Sequence, residues 1–173
     1  MIGIRYPEHF LPGSPRSSSH PSANQTKASR NLRTPVKADA FRRLIQQSDV
    51  LLESLRPGYL ESLGLGYRQL RQINRSLIHI SISGFGHTGP KKNYAGCDAV
   101  YAACGGKKYV TGIRSGKPLK LFGPQTFNTA SLFAANAAVL NLRRRKIAGA
   151  GCRVDLSIQE SVASTLDHVL VTN

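Results

Sequence analysis

From residue 118 to residue 154 the chain has neither aspartate nor glutamate. Such a stretch cannot supply from its own side chains the carboxylate that acid–base or nucleophilic catalysis so often uses. The whole chain is short of acids, with 9 Asp and Glu against 24 Lys and Arg, for a formal net charge of +15. No apolar run approaches the ~18 residues of a transmembrane helix. Residues 1–30 lack the apolar stretch of a signal peptide. The three cysteines, Cys97, Cys104 and Cys152, are odd in number and form no Cys-x-x-Cys pair. That weighs against a disulfide framework and a zinc knuckle, so no metal is expected and a cytoplasmic location fits.

The chain has an ordinary globular balance, 40% apolar and 19% charged residues over 173 positions. This suits one domain, or part of a larger one, with a sizeable core. Two readings compete for the positive charge: tracking nucleic-acid phosphates, or holding a small anionic ligand. The charge is spread along the chain, and its only dense run, Arg143-Arg144-Arg145-Lys146, falls at the predicted end of a helix, where cations meet the macrodipole favourably. This weighs against nucleic acid.

Residues 1–33 read as a loop or disordered arm: Pro7, Pro12, Pro15 and Pro21 fall there, with the low-complexity "SPRSSSHPSANQ". Thr34-Pro35 then opens a helix with an N-cap hydroxyl and a proline in the first position, and Phe41, Leu44 and Ile45 line one face. "DVLLES" (49–54) is a short buried strand, 56–66 is turn-rich with one helical turn, and a short helix carries Leu70 and Ile73 to Asn74. "SLIHISIS" (76–83) is the clearest strand, with Ile78, Ile80 and Ile82 on one face. Helices alternating with strands predict an α/β fold, a Rossmann-like parallel sheet with crossover helices. Further on come a helix from Asp98 to Cys104, strand-like "KYVTG" (108–112) and "PLKLFG" (118–123), a long helix over about 128–145, the strand "CRVDLSI" (152–158) and a last helix in "QESVASTLDHVLV" (159–171). The chain stops just past an apolar helix face, which reads as a cut end, so residues 34–173 are expected to be part of a larger domain.

"GFGHTG" (84–89) satisfies Gly-x-Gly-x-x-Gly after a strand. A dinucleotide site would need a helix to begin within the loop and an acid ~20 residues on. Pro90-Lys91-Lys92-Asn93 follows instead, Asp98 comes too early and Asp155 too late. The loop can still approach some ligand closely, or it can be a plain connection.

Taken together, "DVLLESLRPGYLESLGLGY" (49–67), "LIHISISGFGHTGP" (77–90), "GCDAVYAACGG…VTG" (96–112) and "GCRVDLSIQESVAS" (151–164) resemble the family III CoA transferases, the CaiB/BaiF family. The resemblance spans about residues 33–171. It implies a Rossmann-like domain that binds CoA thioesters, a smaller second domain, and two chains interlocked as a dimer. It also implies CoA transfer between carboxylic acids through an acyl-aspartyl anhydride, with a CoA thioester as substrate and no prosthetic group. Aligned without gaps from Asp98 through Gly105-Gly106 and Thr111-Gly112 into "ASLFAA", the family's nucleophilic aspartate falls on Phe127. Phenylalanine cannot attack a thioester, and Gln125, Thr126 and Asn128 are poor substitutes: an amide is a weak nucleophile, and no base stands beside Thr126 in sequence.

The family's first strand and helix are expected to be missing before Thr34, its Asn-Lys-Arg segment is blurred into "NQTKASRN" (24–31), and an arginine it often carries after the R-P-G turn aligns with Ser62. The resemblance therefore implies the CoA-binding core of a transferase that lacks its own nucleophile, either truncated or the silent subunit beside a catalytic partner. A basic nucleic-acid-associated protein is the alternative.

By resemblance, Arg56, Gly84, Phe85 and Gly86 are candidate thioester-binding residues, and Asp98 is a possible accessory acid or a plain helix-start Asp. Arg56 serves equally well to close the R-P-G turn, and a Phe such as Phe85 is more often core. His79 is expected to be packing and His87 to be exposed and unpaired. Lys91 and Lys92 either touch phosphates or stay solvated. Cys97 and Cys104, seven residues apart, are expected to be small buried hydrophobes on one helix face.

Overall fold

The computed structural model describes residues 2–4, 32–112, 116–117, 119 and 122–166. Among them four strands, β1 (Ile2–Ile4), β2 (Val50–Glu53), β3 (Ile78–Ser83) and β4 (Arg153–Ser157), lie side by side in chain order. Every pair is parallel, with Val50 opposite Ile78 and Ile80 opposite Val154. Parallel neighbours need crossovers. Helix α1 (Pro35–Gln46) lies between β1 and β2, α2 (Tyr59–Ser62) and α3 (Tyr67–Ile73) between β2 and β3, and α4 (Asp98–Cys104) and α5 (Gln125–Ala148) between β3 and β4; α6 (Ile158–Ala163) follows β4. The fold is the α/β architecture that the strand–helix alternation predicts.

Each face of the sheet carries its own core. On one side Phe41 and Ile45 of α1 and Leu70 of α3 pack against Leu51. On the other, Val50, Ile78, Ile80 and Leu156 meet Ala130, Ala134 and Ala138 of α5. Those three alanines recur every fourth residue, so they form one stripe of the helix, and their small size lets its backbone lie close to the isoleucines. The amino end of α5 receives its cap from outside: Pro124 offers no capping side chain, and Asp98 Oδ1 accepts the Thr126 N–H at 2.9 Å instead. At the other end Arg145 donates to the Ser76 carbonyl at 3.0 Å and to Asp49 at 2.6 Å. The dense basic run thus closes its helix, as expected, and also ties it to the segments leading into β2 and β3.

Several expectations need correction. Residues 1–33 are not a loop throughout, because Ile2–Ile4 pair with Leu51–Glu53 as an edge strand; the parallel partner sites on β2 give this short apolar piece a ladder that local composition does not reveal. Residues 5–31, including 24–31, lie outside the described residues. "KYVTG" is turn and bend rather than strand, held by Tyr109 N–H to the Gly106 carbonyl and by the Thr111 hydroxyl to the Lys107 carbonyl. Of the expected strand 118–123, residues 118, 120 and 121 lie outside the described residues and 122–123 form a bend. The expected last helix stops at Ala163, and residues beyond 166 lie outside the described ones. Helix α5 begins at Gln125 and ends at Ala148, longer at both ends than expected. The Thr34 hydroxyl makes no cap; its carbonyl takes the Lys37 and Ala38 N–H groups. Cys97 and Cys104 are exposed, because Tyr101 and Ala102 carry the buried face of α4.

Candidate functional site

Loops leaving the carboxyl ends of parallel strands are where α/β sheets bind ligands, and here they form two adjoining arrangements. The first surrounds Tyr101. The glycine loop leaves β3 at Gly84, whose carbonyl accepts the Gln159 N–H of α6 at 3.1 Å. A Cβ on Gly84 would stand 2.5 Å from the Tyr101 hydroxyl oxygen, and one on Gly96 equally close to the same ring. Only glycine lets both segments pass. Phe85 meets Tyr101 edge-on at 5.4 Å and Tyr94 at 6.2 Å, and Phe127 meets Tyr101 at 6.0 Å. Burial pushes the Tyr101 phenol above its ordinary range, with the neighbouring Cys97 adding to the rise. Four aromatic rings therefore run from the glycine loop to the first turn of α5.

At that turn, Phe127 is 42% exposed and carries no reactive atom. Thr126 does have a carboxylate in space: its hydroxyl donates to Asp98 Oδ1 at 2.7 Å, a pairing invisible in sequence because 28 residues separate the two. Thr126 is wholly buried, however, so its oxygen does not reach a substrate. Asp98 oxygen Oδ1 accepts two hydrogen bonds at once, backbone and hydroxyl. It starts one helix and caps another. Gln125 is turned back onto the Phe122 carbonyl.

The second arrangement lies on the opposite sheet face. Gly86, at φ +80°, takes a left-handed turn that suits glycine, and the loop doubles back over β4. The His87 N–H then donates to Asp155 Oδ2 at 2.9 Å, and Arg153 Nη2 lies 2.9 Å from His87 Nδ1. Glu53, at the end of β2, is 3% exposed. Its Oε2 accepts the Leu55 N–H at 2.7 Å, and its Oε1 lies 3.7 Å from His79 Nε2 and 4.0 Å from His87 Nε2. Burial pushes the Glu53 carboxyl up. The nearby His79 and Ser81 side chains and the Leu55 N–H hydrogen bond outweigh that and leave it below the ordinary glutamate range. Beside this cluster a cleft of about 580 Å³ is bordered by Pro57, Gly58, Glu61, His87, Lys92 and Arg153. It brings the R-P-G turn up to the glycine loop.

The structure thus gathers Asp98, Phe85, Gly84 and Phe127 around Tyr101. Arg56 stays exposed at the R-P-G turn, its carbonyl accepting the Tyr59 N–H at 3.0 Å. Lys91 and Lys92 are exposed. His87 departs from expectation: its side chain is only 10% exposed and it is partnered, because the turn at Gly86 folds it inward. His79 is buried, as packing would require, but it faces Glu53 and the Tyr67 ring at 6.1 Å. Sequence reasoning missed Glu53, Ser81, Arg153 and Asp155. The signal was the alternation itself, since His79 and Ser81 lie between the isoleucines and Ser83 follows the last of them. Among the described residues no group of three His, Cys, Asp or Glu is placed to hold a metal ion, and no helix is long and apolar enough to cross a membrane.

Comparison with known proteins points to one family. The profile of "CoA-transferase family III" matches residues 7–173. The chain is 35% identical over 147 residues to a succinyl-CoA--D-citramalate CoA-transferase of Chloroflexus aurantiacus, covering 85% of this chain and 37% of that protein. It is also 35% identical to the beta subunit of a succinyl-CoA--L-malate CoA-transferase of the same organism, covering 86% and 37%. Among solved structures, a CAIB/BAIF family protein from Brucella suis superposes with a TM-score of 0.78 at 31% identity, over 82% of this chain and 37% of that one. The chain spans between a third and two fifths of the length of these relatives.

Proposed function

This chain belongs to CoA-transferase family III, and from that premise we propose that it forms the acyl-CoA-binding part of an acyl-CoA:carboxylate CoA transferase without supplying the nucleophilic carboxylate. In such a transfer a carboxylate oxygen attacks the thioester carbonyl, the C–S bond breaks, CoA leaves as its thiolate and an acyl anhydride remains. The thiolate then attacks the nucleophile's own carbonyl, releasing the donor acid as its carboxylate and leaving a CoA thioester on the nucleophile. The acceptor carboxylate attacks that thioester to give a second anhydride and free thiolate. The thiolate attacks the acceptor's acyl carbonyl, forming the new acyl-CoA and restoring the nucleophilic carboxylate. The observation that carries the reading is the start of α5. Phe127 stands with its ring against Tyr101, and Asp98, the carboxylate that reaches this turn, is engaged by Thr126.

Arg56, Gly84, Phe85 and Gly86 are then the residues that would meet the thioester, and the close passage of Gly84 past Tyr101 supports a loop of fixed shape there. The missing carboxylate would come from a catalytic partner subunit, or the chain would pair with a second copy as an interlocked dimer. The exposed row Leu132, Val139, Leu140 and Ile147 along α5 supports a partner on that side. The unpaired cysteines suit a cytoplasmic setting. Nothing in the comparisons points to nucleic acid.

The test is a thermal melt of the chain with and without succinyl-CoA, followed by intact-mass analysis. Ligand at ~100 times its dissociation constant adds about 2.7 kcal/mol, so the transition should rise, with no acyl adduct on the protein. A melt indifferent to the thioester would remove the binding role. A hydroxylamine-sensitive adduct on the unaltered chain would show that it carries its own nucleophile.

A further inference from the structure

The polar cluster on the second face is not used by the reading above, and its atoms are arranged unequally. Arginine is always charged and only donates. With Arg153 Nη2 lying 2.9 Å from His87 Nδ1, that ring nitrogen must be the acceptor, so the neutral imidazole carries its proton on Nε2. Nε2 in turn is buried without a hydrogen-bond partner, and it lies 4.0 Å from Glu53 Oε1. That is charge proximity rather than a hydrogen bond. His87 thus holds one partner at full contact and waits one short step from another.

A second proton would go on Nδ1 and set a donor against the Arg153 guanidinium, two cations at contact distance. Arg153 has somewhere else to go, because Glu61 Oε1 on α2 lies 3.6 Å from the same Nη2. The imidazolium has somewhere to go as well, the buried Glu53 carboxylate. Glu53 from β2 and Arg153 and Asp155 from β4 stand against His87, Glu61 from α2 and Lys92 from the loop border the same cleft, and His79 and Ser81 from β3 stand behind Glu53. Three carboxylates thus lie in this cluster, and Asp155 holds the His87 backbone.

We propose that His87 is a proton-operated latch on the glycine loop. When neutral it is tied to Arg153; when protonated it closes onto Glu53 and releases Arg153 to Glu61. The exchange tightens the loop against the end of β2 and redraws the wall of the cleft beside the R-P-G turn. The proposal concerns contacts inside this chain and stands whether or not the chain binds a thioester.

Two measurements on the full chain test it. In nitrogen-detected NMR at pH 7.5, His87 should be a single Nε2–H tautomer, and Arg153→Leu, a change at a third-exposed side chain, should abolish that purity. Hydrogen-exchange protection of the loop amides, corrected for intrinsic rate, should rise about tenfold between pH 7.5 and pH 5.5, the scale of one charge-assisted hydrogen bond. The rise should vanish in His87→Gln. An Nδ1–H tautomer at neutral pH overturns the proposal, as does protection that stays flat in the wild type or still rises in His87→Gln.

Discussion

β3 presents two faces of equal length and opposite character. Toward α5 it offers Ile78, Ile80 and Ile82, and toward Glu53 and the Tyr67 ring His79, Ser81 and Ser83. Four of those six side chains are essentially sealed from water, two on each face: Ile78, Ile80, His79 and Ser81 are all no more than 1% exposed. Burial is therefore the same on both sides, while what burial does is not. The isoleucines gain from leaving water and meet a stripe of alanines cut to fit them. The polar face must be hydrogen-bonded to be tolerated, and it is only partly so, because His79 Nδ1, Ser83 Oγ and His87 Nε2 lack partners. One face supplies stability. The other gives up some of it to hold charged groups where loops leave the sheet.

The sharpest way to break this comparison is Ile80→Ala. A wholly buried isoleucine against a helix should cost about 3 kcal/mol, including the cavity left behind, read as a loss of denaturant midpoint. A cost below ~1 kcal/mol would mean the alanine stripe of α5 does not form the second core.

Glu53→Gln probes the other face and should cost roughly 2 kcal/mol at neutral pH, the scale of a hydrogen bond to a charged group. Its pH dependence carries a definite sign. The Glu53 carboxyl is held below its ordinary value, so its contribution is complete above the unfolded pKa of ~4.3. That contribution drains as pH falls through the lower folded value. Melts of wild type and Glu53→Gln should therefore differ at pH 6 and converge toward pH 3. Curves that stay parallel would deny the carboxylate its role.

Asp98→Ala should cost about 1 kcal/mol through the lost cap on α5. The loss should be accompanied by faster exchange of the Thr126 amide, which distinguishes a cap between helices from a residue serving only α4. Smallest is Phe127→Leu, which gives up one edge-on aromatic contact at a partly exposed position and should cost about 0.5 kcal/mol. A cost several times larger would mean the ring is structural in its own right.

The helix at Thr34-Pro35, the strands around 50–53 and 78–83 and the helix from Asp98 to Cys104 were legible because each carries its own periodicity and punctuation. That Phe127 stands where a nucleophile is expected came from the family resemblance and not from the string, which shows by itself only that residues 118–154 hold no acid. The Thr126–Asp98 and His87–Asp155 contacts were not legible, since 28 and 68 residues separate the partners. Ile2–Ile4 escaped for a related reason: three residues have no periodicity, and only the open edge of β2 makes them a strand.

Local pattern and the run of missing carboxylates belong to the sequence, because propensity, alternation and turn chemistry act between near neighbours. The pairing of Glu53 with two histidines, the cap that Asp98 gives a distant helix and the inward turn of His87 belong to the fold. Parallel register decides which side chains share a face, and only a closed chain brings charges separated by tens of residues within a few ångströms in a place that water does not reach.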